Sequence, residues 1–447
     1  PPYRVAPARA VAPVEPVWTP PQSWSPLQHP PDGPLPPVPG AAGFDTAAAV
    51  GAGPKRRRLR WSAVAVLVLA ALIGSAVTVV ITRWVGDDDS ATAGQPGGVI
   101  ELRGHRDTVY LAGFSPDGAT AFTSGADGRL IVWDARTGAE INRYEDLGAY
   151  IAAASFDRSG STIVAAVDSQ LVAIDAIAPG TRPAKVRLDL DLVHVVSTPD
   201  DDVIVVGFDP DDYEVGEILR FASVGGERLR RIGSGYPEAL APDGELALVS
   251  EYDRTGSTVT HVVDTLTGAE TELEQLLEFV FYADFAVFSD DGSKVARILF
   301  EYEDEPIALT GIWDTTTGAL ITELAVPADD HLMLAFDHSG QRLLVVSYGS
   351  DFFTTRLELF DANTGERQRT VTSQAVGGFS FSPDDAQIAV ATADGTVTLY
   401  DTASGHKQRV LEGHAGPIAA IAYSPDGSRL ITASNDGTAR IWHLTDN

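Results

Sequence analysis

The chain has 447 residues, enough for two or three domains or for one large repeat array, with 62 acidic against 32 basic residues and no cysteine. Without cysteine there are no disulfides, no thiolate metal sites and no Cys nucleophile. Charge is divided unevenly: up to Trp84 there are 8 basic and 3 acidic residues, a net of +5, and the remainder carries 24 and 59, a net of −35. So acidic a C-terminal body repels nucleic-acid phosphates and anionic lipid heads, and it admits cations, basic peptides or neutral ligands.

Residues 1–54 hold 15 of the 28 prolines, as in "PPQSWSPLQHPPDGPLPPVPG". Proline removes backbone donors and fixes φ, so a disordered, partly polyproline II segment is expected there. Residue 1 is Pro rather than Met, so the chain as given is read as processed, truncated or a fragment. A basic cluster follows at 55–60, with Lys55, Arg56, Arg57, Arg58 and Arg60. Residues 61–82 are then free of charge. That length spans the roughly 30 Å hydrocarbon layer as a helix, and Trp61 and Trp84 stand at the interfaces, which predicts a transmembrane helix over 61–84. Basic residues before the span and Asp87, Asp88 and Asp89 after it place the N-terminus in the cytoplasm and the C-terminal body outside. Residues 85–96 are read as a linker.

From residue 97 one pattern recurs: "FSPDG" at 114, "FDRSG" at 156, "STPDD" at 197, "LAPDG" at 240, "FSDDG" at 288, "FDHSG" at 336, "FSPDD" at 381 and "YSPDG" at 423. The interval is 41 to 48 residues. A period of this size must be read before any local motif. Each copy has a strand of small apolar residues before the turn and an alternating strand after it. A second turn follows, clearest as "ADG" or "NDG", then a third strand such as "LIVWD". Next comes Asp-x-x-Thr/Ser-Gly, in which Asp caps its own turn and Gly supplies φ > 0, and then a fourth strand. Four antiparallel strands repeated about every 44 residues make an all-β propeller blade. Innermost strands converge on the axis, which accounts for their Ala and Gly.

In this segment the chain resembles the WD40-repeat β-propeller family, in a membrane-tethered bacterial form. The first copy has Gly104-His105, Ser124, Asp127 and Trp133-Asp134; the last has Gly413-His414, Ser434, Asp436 and Trp442, with His443 in place of the closing Asp. The copy before it keeps Thr392, Asp394 and Tyr400-Asp401. The resemblance implies that His, hydroxyl, Asp and Trp form a buried hydrogen-bonded chain within a blade. Ser124, His105 and Asp127 also imitate a catalytic triad, but with a Trp partner at this spacing they are read as structural.

Third strands recur near 130, 170, 217, 259, 309, 356, 396 and 439, and fourth strands follow the first seven. The missing one is expected from Val99–Arg103, directly before Gly104-His105. This predicts eight blades over 97–447, with seven as the alternative if one weak middle copy merges with its neighbour. Long second-to-third connections are expected at 207–217, 250–258, 300–308 and 347–356. They should form one acidic, aromatic arc carrying Asp211, Asp212, Tyr213, Tyr252, Tyr302, Glu303, Asp304, Phe352 and Phe353, suited to a basic peptide or an amine. No zinc-protease, nucleophile-elbow, phosphate-loop or dinucleotide motif appears in context. The expected function is a non-catalytic interaction or ligand-sensing scaffold without cofactor or metal, monomeric, at the cell membrane, binding a protein or peptide and no nucleic acid. Two alternatives stand beside it. The order of Pro-rich stretch, basic cluster, span and β domain is similar to the C-terminal halves of receptor-type Ser/Thr kinases, and a propeller enzyme would use the central channel.

Overall fold

A computed structural model describes residues 98–444 except 149, 179, 211, 223–227, 253–257, 277–285, 302–306, 325, 327–331, 349–354 and 373–375. Contacts divide the chain after Leu59, and every described residue falls in the second unit, Arg60–Asn447. The Pro-rich segment, basic cluster, span and linker expected from the sequence therefore lie outside the described residues. Among the described residues no helix is long and apolar enough to cross a membrane.

The described residues form 31 antiparallel strands and no helix. They make six four-stranded sheets and one seven-stranded sheet. In chain order these are sheet A (109–144), sheet B (151–187), sheet C (191–272, seven strands), sheet D (286–324), sheet E (332–372), sheet F (376–411) and sheet G (418–443). Strands are lettered a to d outward from the edge that touches neighbouring sheets. The a strands Val109–Phe114, Ile151–Phe156 and Ile418–Tyr423 are almost wholly buried, and the first touches both of the others. Their Ala and Gly residues permit that approach.

Sheet G completes itself with the start of the chain. Val99–Arg103 lies outermost, antiparallel to Thr438–His443, with Val99 opposite Trp442 and Arg103 opposite Thr438. Ile100 and Leu102 then join a core that spans sheets G and A, with Phe114, Ile131, Ile431 and Ile441. Further clusters bridge A to B, B to C, C to D, D to E, E to F and F to G, so each sheet buries one face against each neighbour.

Sheet C departs from the expected pattern. No turn separates two repeats within it. Arg228–Leu240 pairs through its first half with Asp212–Phe221 and through its second half with Leu246–Tyr252. The changeover falls at Gly235, where a Cβ would come 2.7 Å from the Ser250 carbonyl oxygen. A further apolar cluster lies inside this sheet, between its two groups of strands. Where they are described, the long connections expected in sheets C, D and E are mostly strand: b strands run on to Asp209, Tyr252, Glu301 and Tyr348, and c strands begin at Asp212, Thr258, Ile307 and Thr355, while 253–257, 302–306 and 349–354 lie outside the described residues.

Turns repeat one chemistry. In the a–b turns Ser115, Ser289, Ser382 and Ser424 donate to the Asp two residues on. The residue after that Asp adopts positive φ, and Asp201 and Asp385 do so where other copies have Gly. Asp385 has a reason to stand there: it accepts from the His338 and Ser339 backbone N–H groups and from the His338 ring, all in the neighbouring sheet. A row of cations links the same turns. Lys294 donates to the Gly340 carbonyl (2.6 Å), Arg342 to that of Asp385 (3.2 Å), and Arg429 to those of Gly118 (2.9 Å) and Ala135 (3.2 Å). Arg429 also stacks 5.3 Å from the centre of the Phe114 ring, across the closure.

The closing strand should therefore carry stability for both flanking sheets. Leu102→Ala is expected to cost about 2–5 kcal/mol in chemical unfolding, and to raise hydrogen exchange throughout 109–134 and 418–443. Exchange confined to 99–103 would show that the strand is only an appended edge.

Candidate functional site

Two buried hydrogen-bonded chains sit at the ends of the repeat array. In sheet A the Trp133 indole N–H donates to Thr123 Oγ1 (2.8 Å), Thr123 Oγ1 meets His105 Nε2 (2.9 Å), and His105 Nδ1 meets Asp127 Oδ1 (2.9 Å). In sheet G the same chain runs Trp442, Thr432, His414, Asp436, at 2.9, 2.8 and 2.9 Å. The carboxylate can only accept, so Nδ1 carries a hydrogen and donates it there. Burial keeps the imidazole neutral, which leaves Nε2 to accept the hydroxyl hydrogen while the hydroxyl oxygen accepts from the indole.

The hydroxyls are not the ones expected. Thr123 and Thr432 serve, not Ser124 and Ser434. The cause is strand register: Trp133 stands opposite Ala121, so the same-face diagonal neighbour is two residues on, at Thr123. Ser124 is on the other face, near the Tyr110 hydroxyl. Leu430 opposite Trp442 selects Thr432 in the same way, and Ser434 donates to the Gly416 and Pro417 carbonyls instead. Thr392, Asp394 and Tyr400 form no such chain. Tyr400 stands opposite Ile388, which puts apolar Val390 in the hydroxyl position, while Thr392 and Asp394 bond each other and Thr396 within the b–c turn.

In sheet D the hydroxyl position, two residues on from Val295 opposite Trp313, is taken by Arg297. Its guanidinium grips Glu238 of sheet C at 2.6 and 2.5 Å and donates to Ser250 Oγ at 2.9 Å, with both charged side chains buried. Trp313 turns its N–H to the Glu274 carbonyl instead (2.9 Å), and a small cavity beside Arg297 is lined by Thr260, Glu274 and Trp313. This pair was missed in the sequence, because nothing local joins a Glu and an Arg 59 positions apart.

Electrostatics follow from burial and bonding. Burial pushes His105 and His414 below the ordinary imidazole value, more than the bonds to Asp127 and Asp436 raise them. Burial raises Asp127 and Asp436, but hydrogen bonds from imidazole and turn donors outweigh it and hold both carboxyls below the usual range. His194, whose Nδ1 is buried without a hydrogen bond among the described residues, is held down to about 4 by burial alone. Among the described residues no group of His, Asp and Glu side chains could hold a metal ion.

These chains fix one face of the molecule, since each Gly-His loop is tied to its b–c turn: Arg106 N–H also reaches Asp127, and Ala415 N–H reaches Asp436. Of the expected arc, Asp211, Tyr302, Glu303, Asp304, Phe352 and Phe353 lie outside the described residues. Asp212 and Tyr213 begin the c strand of one hairpin, and Tyr252 ends the b strand of the next. Half-buried Phe208 and Tyr236 pack on this side with ring centres 5.4 Å apart and planes tilted by 49°, beside the sheet C changeover.

Thr123→Val should cost about 1–3 kcal/mol, because it strands both the indole N–H and the imidazole nitrogen, and Ser124→Ala should cost less. The reverse order in urea unfolding would overturn the assignment. The histidines set a pH dependence too. Unfolded, they titrate near 6.5; folded, they are held lower. The unfolded chain therefore binds protons first, and stability present above pH 6.5 is lost as pH falls below it. A melting temperature flat between pH 7 and pH 5 would contradict this.

Comparison with known proteins agrees with the geometry. The family model described as WD domain, G-beta repeat matches residues 98–134, 365–401 and 405–443. The anaphase-promoting complex subunit cdc20 of Dictyostelium discoideum is 30% identical over 98 residues, 21% of this chain and 19% of that protein, so the match spans about a fifth of the relative. Among solved structures, the computationally designed Ika8 protein superposes with a TM-score of 0.59 at 18% identity, covering 77% of this chain and 98% of Ika8. Saccharomyces cerevisiae Sqt1 does so at 0.60 and 14%, covering 79% and 100%, and Chaetomium thermophilum Sqt1, bound to the N-terminus of ribosomal protein L10, at 0.59 and 17%, covering 77% and 98%. With the register of the Trp133 and Trp442 chains, these matches show that residues 98–134, 365–401 and 405–443 are WD40 repeats, in an all-β, propeller-like fold.

Proposed function

We propose that the chain is a non-catalytic, membrane-tethered interaction scaffold whose propeller has eight blades and offers its b–c face to a protein or peptide, preferably a basic one. The observation that carries this reading is the length of the b–c hairpins. In sheets A, F and G strands b and c are joined by short turns, whereas in sheets C, D and E both strands continue outward on the face of the Gly-His loops. Polar, acidic and aromatic residues make up those extensions, a composition that suits a cationic peptide through ion pairs and cation–π contacts. A fold relative that holds a protein's N-terminus, as the Chaetomium Sqt1 structure does, supports a peptide as the partner.

Eight blades are supported by the pairing of Arg228–Leu240, which serves as outer strand to one group in sheet C and as inner strand to the next. Tethering is supported by the uncharged run at 61–82, and the basic cluster before it and three aspartates after it support a propeller outside the cell. The test is a panel of fluorescent Lys/Arg-rich peptides, with Glu-rich peptides as controls. Basic peptides should bind in a salt-sensitive way. Changing Phe352, Phe353, Glu303 and Asp304 together to Ala should weaken binding about tenfold or more with the melting temperature unchanged. Unaltered binding would sink the arc as the site.

A further inference from the structure

We infer that an aromatic and acidic row at the b–c ends of the inner strands, running across sheets A, B and C, is the seat of an extended peptide bearing arginine. This rests on the proposed use of the b–c face, and it names a part of that face that lies wholly within the described residues. Half-buried Tyr110 is the second residue of the a strand of sheet A, and half-buried Tyr150 stands just before the a strand of sheet B. Their rings stack with centres 5.5 Å apart and planes 25° apart, and the Ile151 N–H donates to the Tyr110 hydroxyl (3.1 Å). Exposed Asp168, in the two-residue b–c turn of sheet B, accepts the Tyr150 N–H (3.2 Å). Ser169, the other residue of that turn, donates to Asp191 (3.2 Å), where sheet C begins. Asp191 stands opposite Phe208 in strand register, and Phe208 packs on Tyr236. Each of the two carboxylates therefore has an aromatic pair beside it, and one turn joins them.

The joining turn is held from several sides. Asp168 adopts positive φ (49°), and its carbonyl accepts from the Leu192 N–H (3.1 Å). A Cβ on Gly148 would fall 2.5 Å from Asp168 Oδ2, so only glycine lets the chain from sheet A pass this close. A surface fixed in this way loses little freedom when a ligand settles on it. Two basic side chains of sheets A and B are already taken up by the fold: Arg129 by Glu145 and the Gly104 carbonyl, and Lys185 by the Leu147 carbonyl. Arginine suits the row better than lysine does. A guanidinium lies flat against an aromatic ring and forks toward a carboxylate, whereas an ammonium is a compact, strongly hydrated point charge. A ring beside a carboxylate, present twice, meets both properties of the guanidinium at once.

The test uses the full chain in detergent and two fluorescent peptides of equal length and charge, one Arg-rich and one Lys-rich, with binding read by anisotropy. The Arg-rich peptide should bind about fivefold tighter or more. Asp168→Asn combined with Asp191→Asn keeps an accepting oxygen at each position and removes both charges. It should weaken the Arg-rich peptide about tenfold with the melting temperature unchanged. Tyr150→Leu should abolish the preference for arginine, and Tyr150→Phe, which keeps the ring, should retain it. If the double variant fails to fold, Asp191→Asn alone carries the comparison. Equal affinity for the two peptides, or unchanged binding in the folded Asn variants, overturns the seat. If changing Phe352, Phe353, Glu303 and Asp304 removes binding while the Asn variants keep it, the seat is overturned and the b–c face stands. If neither basic peptide binds, both readings fall.

Discussion

The pairing of Val99–Arg103 with Thr438–His443 is the constraint on which the rest depends. Among the described residues it joins the start of the chain to its end, and the core beneath it links the last sheet to the first. Closing so long a loop costs entropy that grows only slowly with length, so five residues of ladder and the core beneath Leu102 suffice. Once that strand is seated, the Arg429 clasp reaches Gly118 and Ala135 across the same seam. The best-formed hydrogen-bonded chains, in sheets A and G, stand on either side of it.

Away from the closure the molecule stabilises itself differently. In sheet A and sheet G a neutral imidazole, a hydroxyl and an indole satisfy one another, and the only net charge is a carboxylate held at the surface turn. In sheet D the corresponding place holds a guanidinium, which must be neutralised by Glu238 from the adjacent sheet. Such a buried pair adds little net stability but becomes costly if either partner is lost, by about 3–5 kcal/mol. The consequence is coupling: sheets C and D are locked together by charge, at the point where the b–c hairpins lengthen. Val205, Val249, Val345 and Val390 occupy the equivalent place elsewhere, where plain burial replaces polar order.

The turns divide labour between the two faces. On the a–b/c–d face, carboxylates are absorbed by their own turn N–H groups and by inter-sheet clasps, so that side is built for structure. On the b–c face, the two Gly-His loops are pinned by Asp127 and Asp436, and the longer b and c strands belong to sheets C, D and E, away from the closure.

The sequence by itself determined the repeat period, the turn chemistry and the phase of Val99–Arg103, because each of these is local or strictly periodic. It also determined His105, Asp127, Trp133, His414, Asp436 and Trp442, whose positions are tied to turns. It could not determine which hydroxyl completes each chain. Ser124 and Thr123 are adjacent residues on opposite faces of a strand, and only the pairing of Trp133 with Ala121 selects between them. Nor could it show that Arg228–Leu240 passes unbroken from one group of strands to the next, or that Arg297 meets Glu238. Those depend on which strands lie side by side, and that is decided by how the sheets pack around the ring.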